Sequence, residues 1–284
     1  MTFMKKTTLL MAALLCGAWC ATAQTAENGY EYVDLGLSVK WAACNVGATT
    51  PEDYGDYFAW GETEPKTTYD WITYKWCNDS ENTQTKYCTN GSYGTVDNKT
   101  VLELADDAAR ANWGGKWRMP TDAEWTELRE NCTWTRTTLN GINGYEVNSK
   151  TNSNSIFLPA AGFRIDEDLF EAGSYGVYWS SSLYTDGPSD AGYVFFYSND
   201  VSWTYYGRFC GQSVRPVVDK SGSTTALQPA TAAVNIYTQN GRIVCEGDFR
   251  IYDLLGRDVT RLNGSLQGVY VVKTDNAAVK VVVR

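Results

Sequence analysis

Aromatic side chains are concentrated near the end of the larger part of the chain, where they could bind a ligand. The segment 174–217 contains twelve aromatic residues in 44 positions, with polar, turn-like stretches beside two groups of them. Tyrosine and tryptophan offer a large contact area at a low entropic cost and keep a polar edge, which suits recognition. The residues predicted to bind a ligand are Tyr184, Asp186, Asp190, Trp203, Tyr205, Tyr206 and Arg208.

The same aromatic residues have a simpler interpretation as core. Side chains alternate between the two faces of a strand, so about half of these aromatics would be buried. Alternation places Trp203 and Tyr205 on one face and Tyr206 on the other, so one of these sets must face outward unless a bulge intervenes. Ligand binding and core packing are both open at this point.

Candidate catalytic groups are scarce. The chain has no histidine, which is the commonest general base. Residues 180–182 are three serines without a histidine partner or the Gly-x-Ser-x-Gly turn of a hydrolase, and no carboxylate stands in a recognisable catalytic motif. We therefore predict a protein that is not an enzyme and that needs no cofactor.

Metal-ligating patterns are weak as well. The acidic loop RIDEDLFEAG, residues 164–173, offers oxygen ligands of the kind that calcium prefers. Because the EF-hand spacing is absent, a solvated acidic loop is the favoured interpretation. The cysteines contain no CxxC pair, so no metal site is predicted.

Six of the eight cysteines follow the apolar leader described below, and they can form disulfides in an exported protein. Cys77 and Cys88 flank a polar loop of ten residues, whose closure would stabilise the fold by roughly 3 kcal/mol. Cys44 and Cys132 form the second predicted pair. Buried thiols, above all Cys210, are the alternative.

The first 23 residues (1–23) are typical of a secretory signal peptide. Lys5 and Lys6 precede a short apolar run, and small residues at 21–23 fit the cleavage site. No second long apolar segment follows, so we predict a secreted or outer-surface protein without a transmembrane segment. The net charge of −9, without a cluster of Lys and Arg, argues against a nucleic-acid partner.

Residues 24–218 combine helical and strand-like patterns. The stretch 101–112 has apolar residues at helical spacing, and WRMPTDAEWTEL (117–128) contains Thr121 and Glu124 at the spacing of a capping box. Many short strand-like stretches bounded by turns follow. The predicted fold class is therefore α+β, with two short helices and many short strands.

The end of the chain differs from residues 24–218 in composition and pattern. Residues 219–230 are small, polar and proline-containing, which predicts a linker. Residues 231–284 consist of short β-rich runs separated by turn residues. This pattern predicts a small all-β sandwich.

Six ordered blocks in the larger region carry a family resemblance. They are EYVDLGLSVKWAACNVGA, DYGDYFAWGETEPK, WRMPTDAEWTEL, FLPAAGFR, GSYGVYWSSS and GQSVRPVV. Together they resemble the Fibrobacter-type major paralogous domain, a secreted family with a C-type-lectin-like fold. The resemblance implies a lectin-like shape for residues 24–218, with ligand-binding loops late in the domain.

Formylglycine-generating enzymes share that fold, and their helix opens with a similar Pro-Thr-x-x-Glu-Trp pattern. Those enzymes bind copper through a late pair of cysteines. Here only Cys210 stands late in the domain, and a thiolate metal site needs several soft ligands. The oxidase chemistry is therefore not carried over to this chain.

The tail resembles the C-terminal sorting domain of type IX secretion, a system of Bacteroidota. The resemblance is carried by IYDLLGRDV (251–259), Gly-Val-Tyr at 268–270 and the basic last strand. It implies the type IX secretion machinery as a partner, with cleavage of the domain and surface attachment.

These inferences converge on a secreted or cell-surface binding protein that recognises an extracellular glycan or protein. A structural cell-envelope or fimbrial subunit is the first alternative. An enzyme like the formylglycine-generating ones is the second.

Overall fold

The computed structural model of the chain describes residues 26–198, 200–220, 237–239, 242–245, 248–253, 256–274 and 278–283. Two compact units divide the chain, Met1–Ser221 and Gly222–Arg284. The predicted signal peptide, residues 1–23, and residues 221–230 of the predicted linker lie outside the described residues.

The first unit contains two α-helices and four antiparallel sheets in its described residues. A 3-10 turn at Leu104–Asp106 precedes helix α1 (Ala108–Trp113), and helix α2 spans Asp122–Asn131. The strands are β1 (Ala26–Glu27), β2 (Tyr30–Val33), β3 (Val39–Ala42), β4 (Cys132–Leu139), β5 (Ile142–Ser149), β6 (Ser155–Pro159), β7 (Phe163–Ile165), β8 (Asp168–Phe170), β9 (Tyr175–Leu183), β10 (Asp190–Tyr197), β11 (Asp200–Gly207) and β12 (Val217–Asp219). Their sheet orders are β1-β2-β3-β12, β4-β5-β6, β7-β8 and β11-β10-β9. Few helices with many short strands agree with the predicted α+β class.

Helix α2 begins with the capping box that its sequence predicts. The Thr121 hydroxyl accepts the Glu124 N–H at 3.3 Å, and the Glu124 carboxylate accepts the Thr121 N–H at 2.8 Å. Arg118 donates to both oxygens of the same carboxylate, at 2.6 and 2.8 Å. Trp125 and Leu128 are buried. Helix initiation and packing therefore account for this stretch.

The helix predicted over residues 101–112 is shorter than its periodicity indicates. The backbone is extended at Asp107, with φ −93° and ψ 115°, so the helix begins only at Ala108. The buried Asp107 carboxylate accepts the N–H of Arg110 at 3.0 Å and that of Met119 at 2.7 Å. This cap stops the helix from extending back to the start of the predicted stretch.

Two apolar clusters fill the first unit. The first includes Trp60, Trp117 and Trp179, and the second includes Trp41 and Trp125, whose ring centroids are 4.6 Å apart. Helix α2 joins the second cluster to the β11-β10-β9 sheet, because Trp125 packs on Tyr178 of β9 at 5.9 Å. The start of α2 is thereby fixed against this sheet.

A buried arginine, Arg215, connects strand β3 and the loop that follows it to strand β6. Its guanidinium donates to the side-chain oxygen of Asn45 at 2.8 Å and to the carbonyl oxygens of Ala42, Ala43 and Phe157 at 3.1, 2.8 and 2.9 Å. Burial lowers the pKa of Arg215. The hydrogen bonds replace the water that the buried cation loses.

The predicted disulfide between Cys77 and Cys88 is not present, and both residues are thiols. The Cys77 Sγ lies 3.1 Å from the carbonyl oxygen of Trp71, and the Cys88 Sγ lies 3.1 Å from that of Asn90. Each sulfur is thus satisfied by a nearby backbone carbonyl rather than by the other sulfur.

The predicted disulfide between Cys44 and Cys132 is also not present. Cys132 is buried in the second cluster beside Leu128, and burial raises its pKa to about 11. Cys44 is half-buried; burial raises its pKa, and the charge of Arg215 partly opposes that effect. The two sulfurs therefore occupy different surroundings. The alternative of a buried thiol describes Cys210, which is fully buried.

The second unit is built from strands in its described residues. They are β13 (Tyr237–Gln239), β14 (Arg242–Val244), β15 (Phe249–Tyr252), β16 (Gly268–Thr274) and β17 (Ala278–Val283), with a 3-10 turn at Thr260–Leu262. The strands form two antiparallel sheets, β13-β14 and β15-β16-β17. One apolar cluster contains side chains from both sheets, among them Ile243, Ile251 and Val272.

Helices long and apolar enough to cross a bilayer do not occur in the described parts of either unit.

Candidate functional site

The β11-β10-β9 sheet determines which aromatic residues share a face. Strand β11 lies at the edge of this sheet and pairs with β10 in continuous register, with Trp203 opposite Val194 and Tyr205 opposite Gly192. Since alternate side chains of a strand point to opposite faces, Trp203 and Tyr205 share one face and Tyr206 lies on the other.

Three rings form an aromatic strip, defined here as Tyr184, Trp203 and Tyr205. Tyr184 stacks on Tyr205 with a centroid distance of 3.9 Å and an interplanar angle of 18°. Trp203 meets Tyr205 edge-on, at 5.1 Å and 89°. Trp203 is 37% exposed, and the two tyrosines are half-buried. The strip therefore presents ring surface to solvent at the sheet edge.

A carboxylate lies beside the aromatic strip because β10 carries a glycine there. A Cβ atom at Gly192 would lie 2.3 Å from Oδ1 of Asp122, the first residue of α2. The Ser180 hydroxyl donates to this same oxygen, and burial raises the pKa of Asp122. Burial and then the charge of Asp122 raise the pKa of Tyr205. The Asp122 carboxylate therefore lies close enough to the aromatic strip for its charge to act on Tyr205.

Two more predicted acidic residues lie in or after the turn that follows Tyr184. Asp186 is exposed, and its charge also acts on Tyr205, so it borders the aromatic strip. The backbone carbonyl oxygen of Asp190 closes the turn by accepting the Tyr184 N–H at 3.1 Å. The charge of the Asp190 side chain acts on Tyr206. Asp186 thus joins the strip, while Asp190 supports the turn.

Tyr206 does not join the aromatic strip. It meets Tyr193 edge-on at 6.4 Å and 85°, and it is 42% exposed. Tyr193 in turn packs edge-on against the buried Trp179 at 6.1 Å. Tyr206 therefore belongs to the opposite face of the sheet.

Arg208 was predicted to bind ligand at the rim of the site, and this prediction is wrong because the side chain is fully buried. Its guanidinium donates to the Tyr74 hydroxyl at 2.8 Å and to the carbonyl oxygens of Pro188, Lys86 and Tyr87 at 2.8, 3.0 and 3.1 Å. It also lies over aromatic rings in the interior. Four of its five N–H donors are used inside the fold, so Arg208 has a structural role.

Asp122 was not predicted as a site residue. The signal that could have found it is Gly192, because a glycine inside an otherwise aromatic strand indicates a close approach by another group. Asp122 directly follows the helix cap, where an acidic side chain stabilises the positive end of a helix. That role alone explains its presence in the sequence, so the sequence pattern does not mark it as a site residue.

The groups of this site are ring faces and carboxylates, which suit it to binding a ligand. Ring faces can pack against an apolar ligand face, and carboxylate oxygens can accept hydrogen bonds from ligand hydroxyl or amide groups. The parts of the chain that the structure describes hold no group of three or more Cys, Asp or Glu placed to bind a metal ion. No protein family, curated protein or solved structure matches the chain.

Proposed function

We propose that the protein is a secreted or cell-surface, non-enzymatic binding protein that recognises an extracellular glycan or protein. One observation carries the proposal, namely the aromatic strip at a sheet edge beside the carboxylates of Asp122 and Asp186. The apolar face of a sugar ring or an aromatic peptide side chain can stack on such rings. Hydroxyl and amide donors of the same ligand can then pair with the carboxylates.

The larger unit, in this proposal, is a C-type-lectin-like domain of the major paralogous type. The six ordered sequence blocks support this assignment, and so does the α+β arrangement of short strands around two short helices. The capped helix α2 is then part of the scaffold that positions the strip, through Trp125 and Asp122.

The smaller unit, in the same proposal, is a sorting domain that delivers the protein through the type IX secretion machinery of Bacteroidota. Its support is the tail motif at 251–259 and the antiparallel strands that follow. Mass spectrometry of surface-released protein tests this part. We expect a C-terminus near the polar stretch 219–230, and an intact Arg284 would reject cleavage.

Binding itself is tested with the purified full chain on glycan and protein arrays. We expect wild-type protein to bind a defined set of ligands and the Trp203→Ala/Tyr205→Ala double variant to lose them. The Tyr206→Ala variant is the matched control, because Tyr206 is adjacent in sequence and lies on the other face. Equal binding by all three proteins would reject the aromatic strip as the site.

A structural cell-envelope or fimbrial subunit is the second candidate function. The observation in its favour is strand β11, which has eight residues and pairs only with β10 among the described strands. An open strand edge can accept a strand from another chain. Sedimentation of purified protein tests this candidate. This candidate would be favoured over ligand binding if the protein formed polymers in a concentration-dependent way and the Thr204→Pro variant, which alters the edge strand β11, did not.

A further inference from the structure

A second feature lies at the end of the aromatic strip. A cavity of about 330 Å³ opens between helix α2, the β4–β5 hairpin and β11. Five residues line it: Arg129, Trp134, Arg136, Tyr145 and Val201. Its volume lies within the range of about 300–1,000 Å³ that is typical of small-molecule pockets.

The apolar base of the cavity is built from rings whose polar atoms are already bonded. Trp134 packs on Tyr145 with a centroid distance of 6.0 Å. The Tyr145 hydroxyl donates to the carbonyl oxygen of Ser198 at 2.7 Å, and the Trp134 indole N–H donates to that of Leu128 at 3.4 Å. The arginines are therefore the polar groups of the cavity that can bind a ligand.

The two arginines are weakly engaged by the protein. Arg136 is exposed and forms no ion pair with a residue that the structure describes. Arg129 is 3.7 Å from Glu130, an exposed carboxylate on its own helix. Asp200 is a further acidic residue near the cavity, because its charge acts on Tyr145, which lines it. Two arginines thus line one cavity of a chain whose net charge is −9.

The cavity and the aromatic strip lie on one face of the sheet. Val201 lines the cavity, and Trp203 stands two positions further along the same strand. Residues two apart on a strand share a face. A chain-like ligand stacked on the strip can therefore extend its next unit towards the arginines.

We propose that this cavity binds the carboxylate or sulfate group of an acidic saccharide. The proposal rests on the proposed function, since it names the ligand class of the same surface. A planar guanidinium donates two parallel hydrogen bonds to a carboxylate or sulfate, and Trp134 supplies the apolar wall against which a sugar ring packs. The strip binds neutral rings, and the arginines select for the charge.

Calorimetric titration of the purified full chain with matched oligosaccharides tests the selection. The probes are tetragalacturonate, its fully methyl-esterified form and a keratan sulfate tetrasaccharide, which carries sulfate groups and no carboxylate. We expect the charged probes to bind at least about tenfold more tightly than the ester, because hydrogen bonds to charged groups are the stronger ones. Preference for the carboxylate or for the sulfate probe distinguishes the two sources. Equal affinity for tetragalacturonate and its ester would overturn the proposal.

Substitutions then locate the binding. Arg136→Gln and the Arg129→Gln/Arg136→Gln double variant should lose the preference for charge while keeping the affinity for the ester. Arg110→Gln, on α1, makes the same charge change beside the first apolar cluster and should have no effect. Arg136 is exposed, so its single variant should fold, and its melting temperature verifies this. A preference for charge retained in both variants would place the anion elsewhere.

Titration with glucuronate separates this proposal from the broader one. We expect glucuronate to bind the wild-type protein, Arg136→Gln to abolish this binding and Trp203→Ala to leave it unchanged. This result would support the cavity as an anion site even if no oligosaccharide bound the aromatic strip. The reverse pattern, with binding of the methyl ester lost in Trp203→Ala and no effect of the arginine variants, would support the strip and reject the cavity.

Discussion

Arg208 and the two β11 residues of the aromatic strip, Trp203 and Tyr205, lie within a few positions of each other in the sequence, yet they occupy opposite environments. Trp203 and Tyr205 stand at a sheet edge, where their rings touch solvent. Arg208 lies inside the fold, with its guanidinium 4.9 Å from the Trp60 ring centroid and 5.3 Å from that of Tyr74. Both regions combine rings with charge. Backbone acceptors around Arg208 make the difference, because they let a cation be buried.

Two carboxylates at helix starts repeat this contrast. Asp107 is fully buried and accepts two backbone N–H groups, whereas Asp122 is half-buried and accepts a serine hydroxyl beside Tyr205. The first charge is committed to the fold. The second lies beside Tyr205 of the proposed site. The following predictions test this division, beginning with the largest effect.

Replacing Arg208 by Leu should lower the free energy of unfolding by about 3–5 kcal/mol, because three buried acceptors and one partly buried acceptor lose their donor. Urea titration followed by circular dichroism measures this. The control Arg136→Leu should change the free energy by less than about 0.5 kcal/mol, since Arg136 is exposed. Similar losses of unfolding free energy in the two variants would show that Arg208 contributes no more to stability than the exposed Arg136.

The pH dependence of the free energy of unfolding should reveal the titration of Asp107. Burial raises its pKa from 3.8 to about 6. Its contribution to stability is therefore fully present below about pH 4 and is lost as the pH rises to about 6, a change of about 3 kcal/mol. The Asp107→Asn variant cannot titrate, so the difference between its unfolding free energy and that of wild type should change across this window. A difference that stays constant between pH 3.5 and 6.5 would show that Asp107 does not titrate there.

Trp203→Ala should weaken ligand binding by about 1–3 kcal/mol, the usual range for an aromatic residue at the centre of a site. Tyr206→Ala removes an aromatic side chain of similar exposure from the opposite face and should leave affinity unchanged. Calorimetry with a ligand found on the arrays measures both, and melting temperatures control for folding. Loss of affinity in Tyr206→Ala alone would move the site to the other face.

Thr121→Ala should have the smallest effect, lowering the free energy of unfolding by about 1 kcal/mol through loss of the helix cap. Thr126→Ala, inside the same helix, is the matched control and should change it by less than about 0.5 kcal/mol. Because Asp122 follows the cap directly, a fall in ligand affinity greater than the fall in stability would assign Thr121 to the site rather than to the scaffold.

Local patterns predicted the features that depend on neighbours in sequence. The capping box of Thr121 and Glu124 and the separation of Tyr205 from Tyr206 are of this kind, because each depends on spacing along one element. The buried arginines could not be predicted in this way. Arg208 is held by backbone of residues 86 and 87, far away in the sequence, and pattern analysis does not include such contacts.

The candidate site was only partly accessible from the sequence for the same reason. Trp203 and Tyr205 attract attention by their residue type. The cavity combines Arg129 from a helix, Arg136 from a hairpin and Val201 from the edge strand, and none of these is unusual in its own stretch. The break of the first helix at Asp107 likewise depends on a distant N–H, that of Met119.

The two buried arginines have a consequence for sequence change over evolutionary time. Arg208 and Arg215 fix the loops and strands around them mostly through main-chain carbonyl oxygens, which every amino acid supplies. Substitutions in those loops that keep the backbone path leave these bonds intact. The loop that carries Asp186 is fixed in this way, through Pro188. Its surface residues can therefore change while Arg208 keeps the backbone of the loop in place.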